Sequence, residues 1–228
     1  MPHPQQALII GVGPGLGAAL ARRFGREGFT LTIAARHQEH LDAIASELRS
    51  EGLAVDTLVL DAADPAAMKV RLKALSERID PDVVIYNAAV IASDDILTAD
   101  IDRLSDAYNV DALGAIVTAQ VFVPGMKRRG SGTLLLTGGR LGVDPDPAYG
   151  TLSVGKAALR AVGELLFQEL AADGVHAASI TVSGAIRPET PFAPELIADR
   201  FWAVHTQERE QWVGETVFDG SAAEGSAV

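Results

Sequence analysis

The sequence predicts an α/β protein: one domain built on a doubly wound parallel sheet, with helices on both faces in three αβα layers. Three observations predict it. Short, almost wholly apolar runs recur along the chain, as strands buried on both faces do. Longer stretches with helical periodicity separate them, so successive strands need crossover connections. The first run ends in glycines and passes at once into a helical pattern.

The elements follow in order. Strands are expected at 7–10 (ALII), 29–34 (FTLTIA), 54–60 (AVDTLVL), 82–86 (DVVIY), 132–137 (GTLLLT) and 175–182 (VHAASITV), with a weak last strand at 215–218 (ETVF). Helices are expected near 15–27, 38–50, 64–79, 100–129 and 150–172. No linker or repeat divides the chain. The tail 219–228 is small and polar, a composition that frays. Residues 187–212 break the rhythm with Pro188, Pro191 and Pro194, followed by Phe201, Trp202 and Trp212. This insertion follows a late strand, on the ligand side of such a sheet. It reads either as a lid over a substrate or as a hydrophobic flap against the core or a second subunit.

Of the 228 residues, 48% are hydrophobic, enough for a large core. A formal net charge of −11 argues against nucleic acid or an anionic membrane as partner. The chain has no cysteine, which excludes disulfides and thiolate metal sites, and no cluster with metal-ligand spacing stands out. The start, MPHPQQ, lacks a basic region and a long apolar run, so a cytoplasmic protein is the expectation.

Chemistry concentrates first in residues 7–17, ALIIGVGPGLG. A strand that turns through Gly11, Gly13, Gly15 and Gly17 into a helix gathers unpaired amides and a helix dipole at one point, which suits a phosphate. Leu16 stands where the fingerprint G-x-G-x-x-G has its third glycine. The other reading is a tight strand–helix turn without a ligand. The second strand ends Ala34-Ala35-Arg36. The carboxylate that would hold a ribose 2′-hydroxyl is absent, and a guanidinium stands beside the site. That favours the 2′-phosphate of NADP over NAD. Arg36 otherwise reads as a solvated surface charge.

The order of these features resembles the short-chain dehydrogenase/reductase superfamily over roughly residues 5–186: the glycine turn, Asp61 after the third strand, Asn87-Ala88 after the fourth, Asn109 in the long helix and Lys156 in the next. The resemblance implies a Rossmann-type sheet, a nicotinamide cofactor, and a homodimer or homotetramer formed through the two long helices. It implies that Asp61 meets the adenine, although Asp61 also reads as the cap of the following turn. It places Asn87 and Ala88 beside the adenosine ribose, Gly184 near the nicotinamide, and Lys156 on the nicotinamide ribose. Ser183-Gly184 replaces the family's Pro-Gly, leaving Thr190 as the nearest threonine.

The family's catalytic hydroxyls are the departure. Its tyrosine position, four residues before Lys156, is Leu152; its serine position, thirteen residues earlier, is Gly139. Residues 147–156 read PAYGTLSVGK, so Tyr149 and Lys156 form a Tyr-x6-Lys pair. This pair resembles that of the divergent enoyl-acyl-carrier-protein reductases of the superfamily. Offsets of four and seven return to the same helix face, but the longer one lies about 10 Å from the lysine along the axis. The candidate catalytic set is therefore Tyr149, Lys156 and Asn109, acting on a C=O or activated C=C bond, with Tyr149 as acid. Tyr149 otherwise packs at the helix entrance. His176 reads as a core histidine, His205 as a core or substrate-facing one, and Arg140 as an anion ligand or an ion-pair partner of Asp144 or Asp146. Two other functions remain open: an NADP(H)-binding or sensing protein without turnover, and a scaffold without cofactor.

Overall fold

The computed structural model describes residues 5–221. Seven parallel strands form one sheet: β1 (Gln6–Ile10), β2 (Thr30–Ala35), β3 (Val55–Val59), β4 (Val83–Tyr86), β5 (Gly132–Gly139), β6 (Val175–Val182) and β7 (Glu215–Phe218), in the order β3-β2-β1-β4-β5-β6-β7. The connecting helices are α1 (Leu16–Arg26), α2 (Gln38–Ser50), α3 (Pro65–Ser76), α4 (Ile101–Tyr108), α5 (Gly114–Arg129), α6 (Gly150–Leu170) and α7 (Pro194–His205). The weak strand at 215–218 exists and pairs with β6. Of the expected tail, residues 222–228 lie outside the described residues.

Successive side chains of a strand point to opposite faces, so each apolar run feeds two cores. In β1, Ala7 and Ile9 join Phe24, Leu41 and Phe201 on one face. Leu8 and Ile10 join Met68, Leu72, Phe122 and Leu159 on the other. A strand between two apolar layers has no polar face to show, which explains the near-continuous hydrophobic runs. Strand order reverses direction at β1, with β2 on one side and β4 on the other. The crevice at the carboxyl ends of these strands is the ligand position of such a sheet.

Two boundaries differ from expectation. β5 runs on through Gly138 and Gly139, paired with Thr181 and Val182 of β6. A Cβ on Gly138 would lie 2.7 Å from the Thr181 hydroxyl oxygen. These glycines thus permit close strand contact rather than a turn. The long helix at 100–129 is interrupted by a π-helical turn, Asn109–Leu113. The stretch Ile101–Arg129 is long and apolar enough to cross a membrane, yet 61% of its most apolar window is buried within the domain. Its apolarity is that of a core helix.

Within the insertion at 187–212, Arg187 lies at the carboxyl ends of the strands and α7 packs into the core. α7 buries Ile197, Ala198, Phe201 and Val204 in the core layer beside α1. Trp202 meets Phe24 edge to face at 5.3 Å, and Arg23 lies 4.9 Å over its ring. Trp212 stacks on His176 at 4.7 Å. The aromatics close the hydrophobic core, because packed rings bury more area there than over an open crevice. His176 is a core histidine as expected.

His205 belongs to the same cluster, with its Nδ1 2.9 Å from the Thr133 hydroxyl at the far end of β5 from the crevice. Burial pushes its pKa down to about 4, against about 6.5 in an unfolded chain. The unfolded state therefore takes up the proton first. Stability held above pH ~6.5 is lost as pH falls towards 4, by at most about 3 kcal/mol. Urea denaturation between pH 7 and 5 should show wild type losing stability relative to His205→Phe. A constant difference between the two would rule this out.

Candidate functional site

A cleft of about 920 Å³ opens at the carboxyl ends of β1, β2, β4, β5 and β6. Residues 11–17 form its first wall. Gly11 sits at φ +91°, and the amides of Gly11 and Val12 both donate to the Ala34 carbonyl, at 2.9 and 3.0 Å. A Cβ on Gly11 would lie 2.3 Å from the Ala88 nitrogen, and one on Gly17 would lie 2.7 Å from the Val12 Cα. These two glycines let α1 and the 87–88 loop close on the turn. Gly13 and Gly15 differ, since a Cβ on either would meet nothing within 4 Å. No side chain caps α1, and its first turn carries no acidic residue. The Ala18 and Ala19 amides donate to the Gly13 and Gly15 carbonyls, at 3.0 and 3.2 Å, so the Leu16 and Gly17 amides are the ones left to meet a phosphate.

Arg36 and His37 line the cleft just beyond β2, where both are exposed. Ala88 and Gly184 line it as well. A Cβ on Gly184 would lie 2.4 Å from the Phe192 ring, so this glycine serves packing as well as access.

Asn87 ties the walls together. Its Nδ2 donates to the Gly11 carbonyl at 2.8 Å, and its Oδ1 accepts from the Thr137 hydroxyl at 2.8 Å. The Thr137 carbonyl accepts from Lys156 Nζ at 2.8 Å. One hydrogen-bonded chain therefore runs from the glycine turn to the lysine. Lys156 is 7% exposed at the cleft floor. Burial pushes its pKa down, and the charge of Asp111 opposes that fall.

Tyr149 is the residue before α6 and lines the same cleft, 36% exposed. Asp94 clamps it from outside. The Asp94 amide donates to the Ala148 carbonyl at 3.0 Å, and its Oδ1 accepts from the Thr151 amide at 3.0 Å, capping α6 from a distant loop. The Thr151 hydroxyl first, and that amide second, hold the Asp94 carboxyl below the usual range. Leu152 and Gly139 both line the cleft, and a Cβ on Gly139 would sit 3.8 Å from the Lys156 side chain, an ordinary contact.

Several expected residues stand elsewhere. Asn109 does not line the cleft; its Nδ2 donates to the Ala63 carbonyl at 3.1 Å. It opens the π turn and is spent on bracing the 61–64 loop. Asp61 is exposed and accepts from the Ala63 amide at 3.0 Å, the turn-capping role; Leu60 and Ala62 line the cleft instead. The Thr190 hydroxyl donates to the Arg187 carbonyl at 2.8 Å and is not a lining residue. Arg140 lines the cleft while paired with Asp144 at 2.6 Å. Among the described residues, no group of three His, Asp or Glu could hold a metal ion.

Sequence reasoning missed Asp111. The π turn carries it inward, where it is wholly buried and its Oδ1 accepts from the Val90 amide at 2.9 Å. The same turn leaves the Val110 carbonyl free for the hydroxyl of buried Tyr86, and Gly114 supplies the space. A signal was present: Asp111 is the one charged residue in the stretch from 109 to 126.

Known proteins share the family and the fold of this chain. The short chain dehydrogenase family profile matches residues 5–198. A very-long-chain 3-oxoacyl-CoA reductase of Neurospora crassa is 32% identical over 174 residues, covering 74% of this chain and 52% of that protein. The chain spans about half the length of the curated relatives of this kind that it matches. Among solved structures, a short-chain dehydrogenase from Rhodopseudomonas palustris superposes with a TM-score of 0.85 at 22% identity, covering 96% of this chain and 99% of that one. The L-sorbose reductase of Gluconobacter frateurii, complexed with NADPH and L-sorbose, gives 0.86 at 22% identity, covering 95% and 96%. At these identities the superpositions establish the fold.

Proposed function

The chain belongs to the short-chain dehydrogenase family, and from that premise we propose that it is an NADP-dependent oxidoreductase reducing a C=O or activated C=C bond of a small apolar substrate. The observation that carries the proposal is one cleft lined by the glycine turn, Arg36, Tyr149 and Lys156. The similar reductase complexed with NADPH supports the same cofactor choice.

The bound nicotinamide would supply hydride. The first-turn amides of α1 would hold the pyrophosphate, and Arg36 the 2′-phosphate. Lys156 would hold the ribose from the cleft floor. Tyr149, at the lip, would donate the proton to the developing oxyanion. Val90, Ile91, Leu141, Leu152 and Ile186 line the remaining wall, so the substrate's body is apolar. The similarity to 3-oxoacyl-CoA reductases makes acyl thioesters the first substrates to assay. Exposed Ile101, Tyr108, Val154 and Leu165 on α4 and α6 support a homodimer or homotetramer through these helices.

Titration by NADPH fluorescence tests the cofactor. Wild type should prefer NADPH to NADH, and Arg36→Ala should lose about tenfold or more of that preference, since charge-assisted bonds to the 2′-phosphate are worth about 1.5–3 kcal/mol. An unchanged ratio would remove Arg36 from the site. Leu152 and Gly139 favour a second reading, in which the domain binds NADP(H) without turnover. Tight NADPH binding without oxidation by any 3-oxoacyl thioester, enone or ketone would select it.

A further inference from the structure

Arg187 lines the cleft after β6, exposed, on a turn that its own hydrogen bonds hold in place. Its amide donates to the Phe192 carbonyl at 3.2 Å, and its carbonyl accepts from the Thr190 hydroxyl. The Phe192 amide donates to the Thr190 hydroxyl at 3.1 Å, and the Ala193 amide to the Thr190 carbonyl at 3.0 Å. The Phe192 ring anchors the turn against Phe218, with centroids 6.0 Å apart. Within the turn Glu189 sits at φ +58°, the one non-glycine residue among those described with a left-handed backbone. Such a conformation persists where its surroundings impose it, and it clusters at functional sites.

The guanidinium itself is unclaimed. Arg140, the other arginine at this end of the cleft, is paired with Asp144. Among the described residues no salt bridge involves Arg187. In a chain of net charge −11 it is not part of a general basic surface. The phosphates of a dinucleotide have contacts elsewhere. Arg36 follows β2, four strand spacings from β6, or about 19 Å. The free amides of α1 follow β1, three spacings from β6, or about 14 Å. The cleft wall shared with Arg187 is apolar, formed by Leu141, Leu152 and Ile186.

We propose that Arg187 binds an oxyanion carried by the substrate. The substrate class is then an apolar carbonyl or enone compound that ends in a carboxylate or phosphate. Naming the ligand as substrate rests on the oxidoreductase reading; the anion site itself does not.

Calorimetry on the NADP-loaded protein tests this with octanoate, octyl phosphate and octanamide, which share an apolar chain and differ in charge. At least one anion should bind about tenfold or more tightly than the amide, the effect of charge-assisted bonds to a guanidinium. The tighter anion tells carboxylate from phosphate. Arg187→Ala should lose the preference while octanamide binding stays within about twofold. Arg187→Lys keeps the charge without the planar fork and should fall between the two. Equal binding of anions and amide by wild type would overturn the proposal. So would a preference unchanged in Arg187→Ala, and if NADPH affinity alone falls in that variant, Arg187 serves the cofactor. The contrast needs no chemistry, so an absence of turnover would count against the oxidoreductase reading alone. Should NADP not bind, the same three ligands titrated into the free protein still decide the role of Arg187.

Discussion

Replacing Tyr149 by phenylalanine is expected to lower kcat by at least about 100-fold, the low end for a positioned acid, while leaving the NADPH dissociation constant within about twofold. The split follows from position. Tyr149 lines the cleft just before α6, whereas the turn amides follow β1 and Arg36 follows β2. Phenylalanine keeps the ring and loses only the hydroxyl. The backbone clamp from Asp94 does not involve the ring, so the helix entrance should hold. No other tyrosine is free to substitute, since the Tyr86 hydroxyl is buried on the Val110 carbonyl and Tyr108 is not a cleft residue. Stopped-flow NADPH oxidation with the best substrate separates binding from chemistry. An unchanged single-turnover rate would remove Tyr149 from the reaction. Leu152→Tyr would then become the informative variant, because it sets a phenol one helical turn before Lys156 in a position that already lines the cleft.

Gly11→Ala should destabilise the protein by about 4 kcal/mol, from a strained left-handed backbone and an overpacked contact together. At φ +91°, the new methyl would sit 2.3 Å from the Ala88 nitrogen and 2.5 Å from its Cα. Both are main-chain atoms and cannot swing aside. The strain would also pull the Gly11 carbonyl from Asn87, the first link of the chain to Thr137 and Lys156. Gly13→Ala and Gly15→Ala make the contrast. A methyl at either meets nothing, so stability should change by less than about 0.5 kcal/mol, while NADPH binding weakens as the methyl enters the phosphate space. Urea denaturation with NADPH titration distinguishes the two classes. Equal stability losses at Gly11 and Gly13 would contradict the packing account.

Period-2 strands buried on both faces and helices of ordinary length left little ambiguity about fold class, and even the short run at 215–218 proved to be a strand. The glycine turn, Arg36 and Tyr149 stand at element boundaries that the local pattern marks, Lys156 stands within α6, and all of them line the one cleft. Asn109, Asp61 and Asp111 were not. A polar residue near a π turn faces inward or outward according to one residue of extra winding, and the hydrophobic pattern of a long helix does not announce that winding. The same holds for the aromatics of 194–212, whose composition suits a lid and a core equally.

The sequence by itself determined the parallel αβα sheet, the crevice at its carboxyl edge and the glycine turn that opens it, because these follow from local periodicity and backbone freedom. Only the tertiary structure decided that α7 belongs to the core, that Asn109 braces a loop, and that Asp111 is buried against Gly155 of α6. Those outcomes depend on which residues meet across more than forty positions of chain. Burial, which moves an ionisable group away from its behaviour in water, exists only once those segments have met.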